Sequence, residues 1–205
     1  SWSEESFTGI RTAELSQEGF YDDTVASVHD ALSSGPGVSR ILSYGLAQNT
    51  SGRDFVGWEG AMEVNYQRTF ERGGLTKAKA VYKTDGAVDV GNIILTKRTV
   101  TASNNNITEA WDSGVSTTGG VFYFQAQQST GVTQLQARLR HSSDALSWAT
   151  LITLTGSSAP QIALRGLTTA VVERYIAVQW DTDLGATTNP SYTITGGFAR
   201  KPTSV

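Results

Sequence analysis

The sequence has 205 residues, 39% of them apolar, with 16 Lys and Arg against 19 Asp and Glu, a formal net charge of −3 and no cysteine. That length is enough for one large β domain or two of about a hundred residues each, and the lack of cysteine excludes disulfides, thiolate catalysis and the common zinc sites. The charge is mild, 10 bases against 13 acids in residues 1–100 and 6 against 6 beyond, which excludes a basic nucleic-acid footprint.

No apolar run approaches the roughly eighteen residues of a membrane span, and the opening SWSEESF lacks the basic and apolar parts of a signal peptide. A soluble chain without a membrane partner is expected. Phe7 to Ser16 has strand composition, and one helix follows near residues 23–34. Asp22 or Asp23 caps it, Val25, Val28 and Leu32 recur on one face, and Gly35-Pro36-Gly37 stops it. A helix that short is marginal alone and needs a sheet to cover its stripe.

A second strand is predicted near Val38 to Tyr44, then a projecting polar loop from Gln48 to Asp54. Phe55 to Phe70 and Leu75 to Lys83 form the arms of a hairpin turning at Glu71-Arg72-Gly73-Gly74. In its second arm Leu75, Lys77, Lys79 and Val81 share one face, and Thr76, Ala78, Ala80 and Tyr82 the other. Neither face is cleanly apolar, which fits an edge in solvent or a strand covered by another subunit. A short strand at Asn92 to Leu95 leads into the expected linker, Thr96 to Ile107, and places a domain boundary near residue 100, giving domains 1–100 and 101–205.

The second half reads as β throughout. Leu135, Ala137 and Leu139 alternate with polar neighbours, Ser142 to Ser147 turns the chain, and a strand returns from Trp148. Arg174 to Trp180 is apolar on both rows and reads as a central strand, and Ser191 to Phe198 closes the domain. Short strands at regular turn spacing predict a β-sandwich.

Catalytic chemistry finds little support. His29 lies in the predicted helix, and His141 is followed directly by Ser142, Ser143 and Asp144, too compressed for a triad. The paired acids Glu4-Glu5 and Asp22-Asp23 are neighbours rather than groups facing across a cleft, and Asp181 with Asp183 lacks any EF-hand spacing. No enzyme, cofactor or metal site is expected. Trp111, Trp148 and Trp180 remain. They are either core residues or exposed sugar platforms, and Trp180 alternates in phase with Ile176 and Val178.

The order of TAELSQEGFYDD, VHDALSSG, a long hairpin, RLRHSSDALSWATLITLTG, VERYIAVQWDTD and SYTITGGFARK resembles the major tail protein, or tail-tube subunit, of phages with long non-contractile tails, in the form that appends an immunoglobulin-like domain. The resemblance implies a mainly β fold: a tail-tube-like β-barrel or sandwich with one short α-helix, followed by an immunoglobulin-like β-sandwich. It implies a virion protein made in the bacterial host cytoplasm, self-assembling into stacked hexameric rings that enclose the path of DNA without binding it specifically. Tail terminator, tape-measure and tail-tip proteins would be its partners. Arg53 and Asp54 in the loop and Glu71 and Arg72 at the hairpin turn are the expected inter-ring contacts. The alternative is a carbohydrate-binding module on a virion surface or secreted protein, with Trp148 and Trp180 as glycan contacts.

Overall fold

The computed structural model describes residues 14–20, 39–45, 50–70, 76–84, 88–104, 107, 109–130, 134–157, 161–182 and 191–200. These residues are mainly β, in two antiparallel sheets, and hold no helix. The helix expected near residues 23–34 lies outside the described residues, as does the hairpin turn with Glu71 and Arg72. The described residues fall into two compact units, one within Ser1–Leu42 and Trp58–Val88, the other within Ser43–Gly57 and Asp89–Val205.

The first unit is built on β1 (Glu14–Phe20), β2 (Ser39–Gly45) as far as Leu42, β3 (Asp54–Thr69) from Trp58 onward and β4 (Lys77–Thr84). β3 and β4 form the predicted hairpin, from Ala61 opposite Thr84 to Thr69 opposite Lys77. β1 lies along the other side of β4, giving the order β1-β4-β3, with β2 also on β3. β1 runs on to Phe20, beyond the Ser16 expected from composition. Glu14 and Glu18 face Lys83 and Lys79 across the ladder, so opposite charges carry pairing past the apolar stretch.

Alternation along β4 buries Ala78, Ala80 and Tyr82 and leaves Lys79 and Lys83 in water. β3 cannot match that alternation along its whole length without a correction, and a bulge provides it. The register slips between Glu63 and Asn65, leaving Val64 exposed. Beyond the bulge Asn65 and Gln67 lie on the wet face, whereas Tyr66 and Arg68 stand opposite Ala80 and Ala78.

The second unit contains β5 (Val88–Val100), β6 (Trp111–Asp112), β7 (Gly120–Thr130), β8 (Gln134–Ser142), β9 (Ala149–Ser157), β10 (Gln161–Thr168), β11 (Tyr175–Asp181) and β12 (Ser191–Arg200). β5-β12-β7-β10 and β6-β11-β8-β9 are its two strand orders. Their inward rows interleave into one core, with Phe122, Phe124 and Ile194 from the first set and Leu135, Leu139, Ile176 and Val178 from the second. Leu135, Ala137 and Leu139 are buried, and both rows of β11 are buried, as its apolar character on each face requires; β11 pairs with β8 along its length and with β6 at Tyr175 and Ile176.

β5 is longer than the Asn92 to Leu95 strand read from sequence. Pairing with β12 continues to Val100 opposite Tyr192, so the first five residues of the expected linker are strand. The β-branched run around Thr96, Thr99 and Val100 accepts that pairing readily.

Candidate functional site

The loop expected to project from Gln48 to Asp54 is described from Thr50 onward, and that part is fastened down. The Gly52 amide donates to Ile93 O at 2.7 Å, the Ile93 amide to Arg53 O at 2.8 Å, and Asn92 Nδ2 to Gly52 O at 3.0 Å. The side chains of Arg53 and Asp54 are exposed. The sequence missed the anchor because it lies on a strand about forty residues away.

The wet face of the β1-β4-β3 sheet carries Glu14, Ser16 and Glu18, then Lys77, Lys79 and Lys83, then Asn65, Gln67 and Thr69. The acids lie on β1 and the bases beside them on β4. Lys77 lies 3.7 Å from Glu18, and Lys83 3.9 Å from Glu14, both exposed. Pairs of this kind add little stability but fix the sign pattern a partner meets. Phe70, at the end of the β3 arm, is 73% exposed.

The opposite face holds an unusual pair. Glu63 is 3% exposed, and neither carboxylate oxygen has a hydrogen-bond partner in acceptable geometry. Tyr82 stands across the ladder from it. Burial first, and then the neighbouring carboxylate, push the Tyr82 phenol up to about 12, with Arg40 opposing. Tyr82 therefore remains a neutral phenol at ordinary pH.

In the second unit, Tyr123 donates to Asp89 Oδ2 at 2.6 Å, and Arg165 Nε donates to the Tyr123 hydroxyl at 3.1 Å. Burial, followed by Asp89, raises the Tyr123 pKa. Each polar group has a partner and Phe55 covers the ring, which makes this a joint between strands rather than a reactive centre.

The HSSDALSW stretch is a turn held by its own side chains. Asp144 Oδ1 accepts from Ser142 Oγ at 2.8 Å and from the amides of Leu146 and Ser147 at 2.8 and 2.9 Å. The Ser147 amide, followed by that of Leu146 and the Ser142 hydroxyl, holds the Asp144 carboxyl at about 2. His141 Nδ1 accepts from the Glu173 amide at 3.2 Å, so that nitrogen carries no proton. Burial lowers the His141 pKa, against an opposing pull from Glu173.

Both shifts have the same sign in linkage. The unfolded chain takes up these protons more readily than the folded one. Stability from His141 is present above its ordinary value of 6.5 and is lost as pH falls below it; that from Asp144 is present above 3.8 and lost as pH falls through about 2. In an NMR titration His141 is expected to show a midpoint below 6.5. A midpoint at or above that value would break the link to the Glu173 amide.

The tryptophans divide. Trp180 is buried in the core, and its Nε1 donates to Ala102 O at 3.0 Å. Trp148 is half-buried, and its Nε1 donates to Ala145 O at 3.2 Å within the turn. Both indole N–H groups are spent internally, and the covered Trp180 ring offers no open face. Among the described residues no group of three or more His, Asp or Glu side chains is placed to hold a metal ion, and no helix is long and apolar enough to cross a membrane. Set against known proteins, the sequence matches no family model, and searches of curated proteins and of solved structures give no significant match.

Proposed function

We propose that the chain is a structural subunit of a phage tail tube that assembles into stacked hexameric rings forming the DNA conduit. Its second half supplies an outward-facing immunoglobulin-like domain. It is made in the host cytoplasm and resides in the virion tail, where tail terminator, tape-measure and tail-tip proteins meet the ends of the stack. DNA passes through without specific contacts.

The observation that carries this reading is the β1-β4-β3 sheet. β3 is 16 residues long, well beyond an ordinary strand of about 5–6 residues, and β1 stands at the end of the strand order with a free hydrogen-bonding edge among the described residues. Such an edge is a template for a strand of another chain, and in a closed ring every edge finds a partner. The mixed-sign wet face supports a surface that passes a polyanion without holding it. The exposed Phe70, with Arg53 and Asp54 on their pinned loop, supports contact between successive rings. Glu71 and Arg72 belong to the same proposal.

Negative-stain electron microscopy of the purified protein, with its mass in solution, tests the reading. Rings or tubes with a central channel are expected, and a chain that stays monomeric at high concentration overturns it. Arg53→Glu is expected to shorten the tubes while leaving the melting temperature of the unassembled subunit unchanged. Tubes of unaltered length would remove Arg53 from the contact between rings.

A further inference from the structure

The second unit contains a groove of ≈ 440 Å³ lined by Ser51, Ile94, Thr96, Glu109, Ala110 and Trp111. Its floor comes from β5, where Ile94 and Thr96 are two residues apart and share a face of the strand. One wall is the Thr50 to Arg53 turn, held against β5 by the hydrogen bonds to Ile93 and from Asn92. The other wall is Glu109 to Trp111. Arg98, on the same face of β5 as Thr96, fixes it by donating to Glu109 Oε2 and to Thr96 Oγ1, each at 2.6 Å.

Trp111 differs from the other two tryptophans of this unit. It is half-buried, packed in part against the core, and among the described residues no hydrogen bond from its indole N–H is found. Gly52 packs beside that nitrogen: a Cβ there would lie 3.1 Å from Nε1, so any side chain at this position would crowd the indole edge. The groove therefore gathers an aromatic surface, an indole donor, the Ser51 and Thr96 hydroxyls and a carboxylate already balanced by Arg98. These groups suit a ligand with an apolar face and a rim of hydroxyls that both donate and accept, and the internal ion pair disfavours a charged one. The volume lies within the roughly 300–1,000 Å³ of small-ligand pockets.

We propose that this groove is a binding subsite for a neutral pyranose ring, with Trp111 as its platform and Ser51, Thr96 and Glu109 as its polar contacts. The subsite is separate from Trp148 and Trp180 and does not depend on ring assembly.

The test is an NMR titration of the tryptophan indole N–H resonances with methyl α-glucopyranoside, methyl β-galactopyranoside and N-acetylglucosamine at millimolar concentrations. The Trp111 resonance, assigned by its loss in Trp111→Phe, is expected to shift saturably with at least one sugar while those of Trp148 and Trp180 stay in place. Ser51→Ala removes one exposed hydroxyl without touching the core, and is expected to weaken binding by about 5- to 10-fold, the worth of one hydrogen bond. No saturable Trp111 shift with any of the three sugars overturns the proposal, and so does a shift that Ser51→Ala leaves unweakened.

Discussion

Replacing Gly119 with alanine is expected to lower the stability of the second unit by about 2–5 kcal/mol, combining a left-handed backbone cost of about 1–2 with an overpacking cost of about 1–3. Gly119 has φ +81, and a Cβ built on it would lie 1.9 Å from Thr168 O and 2.8 Å from Thr169 Cα. Those neighbours are backbone at the end of β10, paired there to Gly120, so they cannot swing aside as a side chain would. The Gly119 carbonyl also accepts from the Ser116 hydroxyl at 3.1 Å, which ties the loop in place.

Gly114 provides the internal control. It has a similar φ of +73 but nothing within 4 Å of its would-be Cβ. Gly114→Ala should therefore show the backbone cost alone, about 1–2 kcal/mol. Thermal melts of both variants, at about 2–4 °C per kcal/mol for a chain of this size, separate the two contributions. Equal losses would mean that the approach to Thr168 does not exist in solution.

The second large effect is expected at Arg200, the last residue of β12. Its Nε donates to Ser113 O at 3.0 Å, one terminal nitrogen donates to Val172 O at 3.4 Å, and the other to Glu173 O at 3.3 Å and to Ser113 Oγ and Gly114 O. One planar cation thus staples two segments that already pair through Ser116 and Val172. It also lies over the Phe198 ring at 5.8 Å.

Arg200→Ala leaves those carbonyls without their donor and is expected to cost about 2–4 kcal/mol, because hydrogen bonds to a charged group are each worth about 1.5–3 and the partly exposed acceptors recover some from water. Arg200→Lys should recover little, since a single ammonium cannot reproduce the fork. Urea unfolding measures the loss, and hydrogen exchange at the Ser116 and Val172 amides shows where it falls. Unchanged protection at both amides in Arg200→Ala would remove the stapling role.

Several features of the fold were legible in the sequence because they depend on neighbours along the chain. The two-residue period of Leu135, Ala137 and Leu139 specified which face of β8 is buried, and the two apolar rows of Tyr175 to Trp180 specified a strand buried on both faces. The β3-β4 hairpin followed from two β-rich arms and a short polar connection. Trp180 is buried in phase with Ile176 and Val178, as its alternation implied.

Other features depended on partners far away in sequence. The bulge at Val64 is set by the need of β3 to match β4, and nothing in the local composition marks it. β5 extends to Val100 because β12 returns beside it nearly a hundred residues later. Tyr123, Asp89 and Arg165 meet although Asp89 and Arg165 are 76 residues apart, and Glu63 is buried although a glutamate in a strand ordinarily marks a solvent face. The loop at Thr50 to Asp54 read as free because its anchors, Asn92 and Ile93, are on another strand.

By itself, then, the sequence determined a mainly β chain, the buried rows of its second half, the hairpin of its first and the lack of any cysteine chemistry. Those follow from residue type and from a period that each strand carries within itself. The tertiary structure alone decided the register of β3, the length of β5, the rigid seat of Arg53 and Asp54, and the groove at Trp111. The physical reason is the same in each case: strand pairing satisfies backbone donors and acceptors across long loops, and only the closed ladder says which side chains then share a face.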